Sequence, residues 1–471
     1  MFVKQLFTDC LSEFSYYIES DGVAAVIDPL RDIDEYLEIA KERNATIKYI
    51  FETHFHADFI SGHIELANAT NATIVFGPEC KARFKVLIGN DEEVFELGTV
   101  KIKLLHTPGH TLESSSYLLL DEKGEEKAVF TGDTLFVGEV GRPDLAQQSD
   151  VLTTNDLAAM LYDSITTKLT TLPDNVIVYP GHGKGSSCGK NIGVEKETTI
   201  GEQKSTNYAL LTPTKEDFIK AVINDLPVTP KYFPVNAKIN RDGYESLELI
   251  LSKGLQQVTI DEVKSKIKEL EVIVLDTRPA NLFIDGFIPT SVFVGLEGRF
   301  AEWAANVLPP DLPIIIVTEE AKEKEVITRL ARVGIDKVVG VVQGGFDAWR
   351  DAGEKIDLII DIDSDELAMD IPFDENLVVL DVRTESEFGS GHLKQSMNIP
   401  LVNLTDPGTM ADFDDNHNIY VHCGGGYRSV IACSLLKRQG IHNIRNVNGG
   451  WSAILLNKER FTIEKEEEVL N

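Results

Sequence analysis

The second half of the chain repeats itself. Val272-Ile273-Val274-Leu275-Asp276-Thr277-Arg278 returns as Leu377-Val378-Val379-Leu380-Asp381-Val382-Arg383, and Gly286-Phe287-Ile288-Pro289 returns as Gly391-His392-Leu393-Lys394. Gln343-Gly344-Gly345-Phe346 returns as Asn448-Gly449-Gly450-Trp451, at the same offset of 105 residues. A period of that length is a whole domain, not a solenoid unit. Each copy alternates short apolar runs with amphipathic stretches, the pattern of a parallel sheet with helical crossovers. The repeat therefore divides the chain into two like domains, 255–355 and 360–471, and an unrelated domain at 1–242. About three domains is also what 471 residues suggest.

The first domain carries a different pattern. Three short strands are expected within residues 1–30, with a hairpin signal at Ser20-Asp21-Gly22. Asp32 is expected to cap a helix running to about Arg43. The apolar run Ile47 to Glu52 then delivers Thr53-His54-Phe55-His56-Ala57-Asp58-Phe59, three metal-capable side chains in five residues. Imidazoles beside a carboxylate suit a transition metal better than calcium or magnesium. Three more pieces follow apolar runs, each with one metal-capable residue beside glycine: Thr107-Pro108-Gly109-His110, Phe130-Thr131-Gly132-Asp133-Thr134 and Tyr179-Pro180-Gly181-His182-Gly183. His63 reads as an ordinary residue of a helix over Ser61 to Ala69. Helices are expected over Asp156 to Leu169 and Thr214 to Asn224, followed by a Pro-rich stretch through Pro234.

Composition narrows the function. A formal net charge of −31 argues against a nucleic-acid or anionic-membrane binder. No segment approaches the roughly 18 consecutive apolar residues of a membrane span, and the N-terminus does not read as a signal peptide. Cys10, Cys80, Cys188, Cys423 and Cys433 are scattered, odd in number and without a CxxC pair. That fits a reducing cytoplasm and argues against a disulfide framework.

The four metal loops together resemble the metallo-β-lactamase superfamily, whose fold is an αββα sandwich with the metal site at one edge of the sheets. Hydrolytic members with two zincs usually have His where this chain has Phe59, which favours one metal. The persulfide dioxygenase branch is the most similar, and it binds one Fe(II). That resemblance implies iron ligands His54, His110 and Asp133, with His56, Asp58 and His182 orienting them or holding water. It also implies a substrate side at Arg142, within Gly141-Arg142-Pro143-Asp144, where a structural ion pair of Arg142 with Asp144 stands equally beside it, and at Lys204, which could meet a carboxylate of a thiol carrier. Cys188 lies six residues after His182, so a place near the metal mouth stands beside a buried, inert thiol.

The segment Asp381 to His392 resembles the rhodanese homology domain, a parallel sheet flanked by helices. In that copy a strand ends at His422, Cys423 follows, and Gly424-Gly425-Gly426-Tyr427-Arg428 opens a helix. Successive backbone N–H groups in such a turn stabilise the Cys423 thiolate, and Arg428 adds a fork for sulfonate-like oxygens. A six-residue loop from Cys to Arg goes, in that family, with sulfur rather than phosphorus chemistry. The offset puts Thr318 at the Cys423 position and Glu323 at the Arg428 position, so 255–355 reads as a catalytically inactive copy.

The whole reads as an α/β and α+β multidomain chain, a metallo-β-lactamase sandwich followed by two rhodanese-like domains. The function this implies is a cytoplasmic persulfide dioxygenase–sulfurtransferase of sulfide detoxification. It would use Fe(II), one per chain, O₂ and a small-molecule persulfide, with sulfite and thiosulfate as partners. The alternatives are a zinc-dependent thioester hydrolase of the glyoxalase II kind and a sulfur-trafficking protein with an inert metal domain. The thiol carrier and any homo-oligomer are left open.

Overall fold

A computed structural model describes residues 1–146, 152–269, 272–406, 408–409, 413 and 416–465. It contains two compact units, Met1–Leu249 with Leu330–Ile335, and Ile250–Arg329 with Asp336–Asn471.

In the first unit, Phe2–Thr8 (β1), Glu13–Ser20 (β2) and Val23–Ile27 (β3) form an antiparallel meander. Thr46–Phe51 (β4), Thr73–Phe76 (β5) and Leu87–Ile88 (β6) continue it in parallel and in sequence order. A second six-stranded sheet is built from Val94–Leu97 (β7), Val100–His106 (β8), Ser115–Leu120 (β9), Glu126–Gly132 (β10), Ile177–Pro180 (β11) and Thr198–Thr199 (β12).

The layering follows from alternation along the strands. Tyr16 and Ile18 of β2 enter one core with Ile27 and Phe51, facing Ile102, Tyr117 and Phe130 of the second sheet. Their neighbour Tyr17 points the other way, where Val26, Ile50 and Phe76 meet Tyr36, Ile39 and Leu66 of the helices Asp34–Glu42 and His63–Thr70. On the far side, Leu118, Val129 and Val178 meet Leu161 and Phe218 of the helices Thr154–Ser164 and Lys215–Ile223. Two sheets buried on both faces require helices outside each, which gives the αββα sandwich.

Three local expectations change. Ile33, not Asp32, precedes the helix Asp34–Glu42, with no side-chain cap. The next long helix starts at Thr154, capped by Thr153 and Asp156, and its expected last turn, Ile165–Leu169, is a π-helix. The stretch around Pro234 is helical over Phe233–Asp242, because proline is tolerated in a first turn, where its missing N–H is not needed.

The second unit holds both repeats. Gln257–Val258 (β13), Ile273–Asp276 (β14), Val292–Phe293 (β15), Ile314–Val317 (β16) and Val338–Val342 (β17) form a parallel sheet in the order β13-β17-β16-β14-β15. Ile360–Ile362 (β18), Leu377–Asp381 (β19), Met397–Asn398, Asn418–His422 and Ile444–Val447 repeat that order in the second copy, again all parallel. The equivalence extends to side chains. Arg278 forks onto Asp276 and donates to Gly286 O, and Arg383 does the same with Asp381 and Gly391 O. Among the described residues no helix is long and apolar enough to cross a membrane.

Candidate metal centre and sulfur loop

Strand ends of both sheets deliver the metal-capable groups. β4 runs into the His54 loop, the β8–β9 turn carries His110, and β10 and β11 end at Asp133 and His182. The structure brings the ligand atoms of His54, His110 and Asp133 within 4.8 Å of one another, all buried. Asp133 Oδ2 stands 3.8 Å from His54 Nε2 and 3.5 Å from His110 Nε2.

Hydrogen bonds fix which nitrogen of each ring is free. Thr53 Oγ1 donates to Asp28 Oδ2 at 2.8 Å, so its remaining role toward His54 Nδ1, 2.9 Å away, is to accept. His110 Nδ1 lies 2.9 Å from the Arg142 carbonyl, which can only accept. Both rings therefore carry their proton on Nδ1 and present an Nε2 lone pair. His54 Nε2 and Asp133 Oδ2 are buried with no hydrogen-bond partner. Unpaired buried polar atoms converging with a third lone pair fit a metal ion.

His182 stands differently. Its Nδ1 meets Asp133 Oδ1 and its Nε2 meets Asp58 Oδ2, both at 2.8 Å. Two carboxylate acceptors call for two N–H donors, so His182 offers no lone pair in this pairing, although its ligand atom also lies within 4.8 Å of those of Asp58 and Cys188. Burial opposes the charged ring, and Asp133 and Asp58 overcome it, holding the imidazole well above its ordinary protonation range. Burial likewise works to raise Asp133, and His182, His54 and His110 outweigh it, keeping that carboxyl far below the usual range. Gly181 is required by this pairing, since a Cβ there would lie 2.6 Å from Asp133 Oδ1. The Phe59 ring is buried 4.3 Å from the His56 ring centroid and 6.5 Å from that of His182.

His56 turns from this cluster to Asp28, 3.1 Å from its Nε2, and Glu52, 3.7 Å away. Glu52 is pushed well up by burial first, then by Asp28. The sequence reading missed Asp28 and Glu52. Asp28 ends an apolar strand as Asp133 does, which was the available signal. His63 is a buried core residue, stacked on Phe84 at 4.9 Å and lowered to about 3 by burial and His56.

His110 borders a cavity of about 570 Å³, walled by Phe55, Leu112 and Phe233, with Lys81, Lys238 and Arg241 also lining it. The three substrate-side residues separate here. Arg142 is buried, its guanidinium committed to Asp144 at 2.7 and 2.8 Å, to Ser187 O and Pro227 O, and to Thr229. Cys188 is brought within 4.8 Å of the ligand atoms of Asp58 and His182, and burial pushes its thiol well up. Lys204 is not brought to the cavity. It pairs with Asp174 at 2.6 Å.

The Cys423 loop is compact. Gly426 N–H points at Cys423 Sγ at 3.1 Å, and the helix Tyr427–Arg438 begins at the next residue. Trp451 N–H donates to Cys423 O at 2.6 Å, fixing the loop to the turn Gly449-Gly450. The Arg428 fork is taken by Glu387, with two bonds of 2.7 Å. Half-burial works to raise Glu387, and Arg428 overrides it, bringing that carboxyl down to about 2. In the first copy Thr318, Glu319, Glu320 and Glu323 line the corresponding hollow.

The metallo-beta-lactamase superfamily profile matches residues 8–182, and the rhodanese-like domain profile matches twice, at 259–352 and 364–457. The chain belongs to the metallo-beta-lactamase superfamily, and rhodanese-like domains follow its first domain. A metallo-beta-lactamase from Staphylococcus aureus subsp. aureus COL is 30% identical, with a TM-score of 0.66 over 72% of this chain and 98% of that one. ETHE1 from Myxococcus xanthus is 33% identical, covering 51% of this chain and 98% of its own, with a TM-score of 0.44. The cytoplasmic hydroxyacylglutathione hydrolase of Arabidopsis thaliana is 33% identical over 185 residues, 38% of this chain and 67% of its own length. Across such curated relatives the chain spans 60% to 68% of their lengths.

Proposed function

We propose that the chain is a persulfide dioxygenase joined to a sulfurtransferase, acting in the cytoplasm in sulfide detoxification. Persulfide, O₂ and water give thiol, bisulfite and a proton at a single Fe(II) held by His54, His110 and Asp133. The observation that carries this reading is the donor set. Two Nε2 lone pairs and one carboxylate oxygen converge, while His182 is spent on two carboxylates and Phe59 fills a place next to them. Iron held by two imidazoles and one carboxylate supplies open positions and redox chemistry for a sulfur substrate and O₂.

The chain's own residues do the remaining work. Thr53 and the Arg142 carbonyl hold the two ligand rings in the tautomer that exposes Nε2. The cavity beside His110 seats the thiol carrier, with its apolar wall excluding water and its lysines and Arg241 meeting acidic groups. At the second centre, the Cys423 thiolate attacks the outer sulfur of thiosulfate or a persulfide. An S–S bond forms at Cys423, and sulfite or thiol leaves with the electron pair of the broken bond. The Gly426 N–H offsets charge on Sγ. The first copy, with Thr318 and Glu323 in the decisive places, carries no sulfur transfer.

A second reading is favoured by the hydroxyacylglutathione hydrolases among the relatives. In it the same loops hold zinc and activate water for thioester hydrolysis. Elemental analysis with parallel assays separates the two. One iron per chain, with O₂ uptake on a small persulfide, is expected. Two zincs per chain, with thioester hydrolysis and no uptake, would establish the hydrolase instead.

A further inference from the structure

Within the second unit, the helix Tyr427–Arg438 that follows the sulfur loop is bound along one face by the first rhodanese copy. Tyr427 Oη donates to Gly295 O at 3.0 Å. The Ser434 hydroxyl accepts the Phe293 N–H at 3.0 Å, and Arg438 donates to Thr290 O at 3.0 Å. Positions 427, 434 and 438 are seven and four residues apart, which puts them on one helical face. The opposing segment, Thr290 to Gly295, is itself anchored to the first copy's sheet. Val294 N–H donates to Asp276 O and Leu296 N–H to Thr277 O, each at 3.0 Å. The Phe293 ring packs edge-on against Tyr427 at 5.8 Å.

We infer that the first copy holds the sulfur loop of the second in working shape, through Thr290–Gly295, with Tyr427 as the positioning residue. The lever is short. Tyr427 follows directly on Gly426, whose N–H meets Cys423 Sγ, so a displaced Tyr427 moves that donor. The copy without a thiol is thereby part of the other copy's centre without touching the sulfur. This rests on the reading of Cys423 as the sulfur carrier.

The space around Gly295 supplies the test. A Cβ there would stand 3.1 Å from the Phe293 ring and 3.5 Å from the Tyr427 ring, pressing on the contact from the first copy. Full-length Gly295→Ala and Tyr427→Phe are compared with wild type in anaerobic thiosulfate-to-thiol transfer, with thermal unfolding as the check on folding. Each is expected to lower kcat on the order of tenfold while KM changes by less than about twofold, since a misplaced donor costs turnover rather than binding. Wild-type kcat in either folded variant overturns the inference, and so does a loss expressed in KM alone. Should one variant not fold, the other decides. Cys423→Ser in the same assay keeps the two levels apart. Transfer surviving there removes the Cys423 reading itself. Transfer lost there but intact in the other two variants removes only the role of the first copy.

Discussion

At the scale of single residues, the proposed metal centre depends on which lone pairs remain after the hydrogen bonds are made. Asp133 contributes Oδ2 to the cluster and gives Oδ1 to His182, so both halves of the carboxylate are used. Asp133→Ala is expected to lose bound metal and O₂ uptake together, read by elemental analysis and an oxygen electrode. Retained stoichiometric metal would contradict the assignment. Cys188 is the opposite case. Burial keeps its thiol protonated, and a thiol is a poor nucleophile. Alkylation at pH 8 followed by peptide mapping should leave Cys188 unmodified in the folded protein, and Cys188→Ser should hold its metal. Rapid labelling of Cys188 would restore it as a reactive centre. The loop motifs made His54, His110 and Asp133 legible in sequence. The tautomers were not, because the fold brings Asp28 to the Thr53 hydroxyl beside His54 and the Arg142 carbonyl to His110. The partner of Lys204 was not legible either, since Asp174 lies 30 residues away in sequence.

Elements show how far one sequence pattern can be read twice. The 105-residue offset made the two copies and their parallel sheets legible, and the structure repeats strand order, the Asp–Arg fork and the Gly-Gly turn in both. What the offset could not give is how tightly each turn meets its loop. Gly450 and Gly345 are equivalent, with φ of +55° and +61°, yet a Cβ on Gly450 would lie 2.3 Å from Cys423 O while one on Gly345 lies 3.6 Å from Thr318 O. Either alanine costs roughly 1–2 kcal/mol for left-handed backbone. Only Gly450→Ala also pushes the backbone of Cys423. It is expected to abolish sulfur transfer and to lower the unfolding temperature more than Gly345→Ala, which should keep most activity. Equal effects of the two on transfer would mean that the turns are not distinguished by that contact. The helix Phe233–Asp242 was hidden in sequence by Pro234, whose place in a first turn depends on where the helix starts.

For the whole molecule, the two proposed centres stand on separate sets of groups. One is the imidazole–carboxylate cluster of the first unit, the other Cys423 in the second. If each is complete, either can be removed alone. Cys423→Ser keeps the loop but leaves a hydroxyl that stays protonated near neutral pH, and Thr318 offers no thiol in the first copy. The most direct measurement is oxygen uptake, sulfur transfer and sulfite-to-thiosulfate ratio on one iron-loaded Cys423→Ser preparation supplied with a small persulfide. The account predicts that uptake persists, transfer vanishes and the product shifts from thiosulfate to sulfite. Loss of oxygen uptake, or transfer at the wild-type rate, would contradict it.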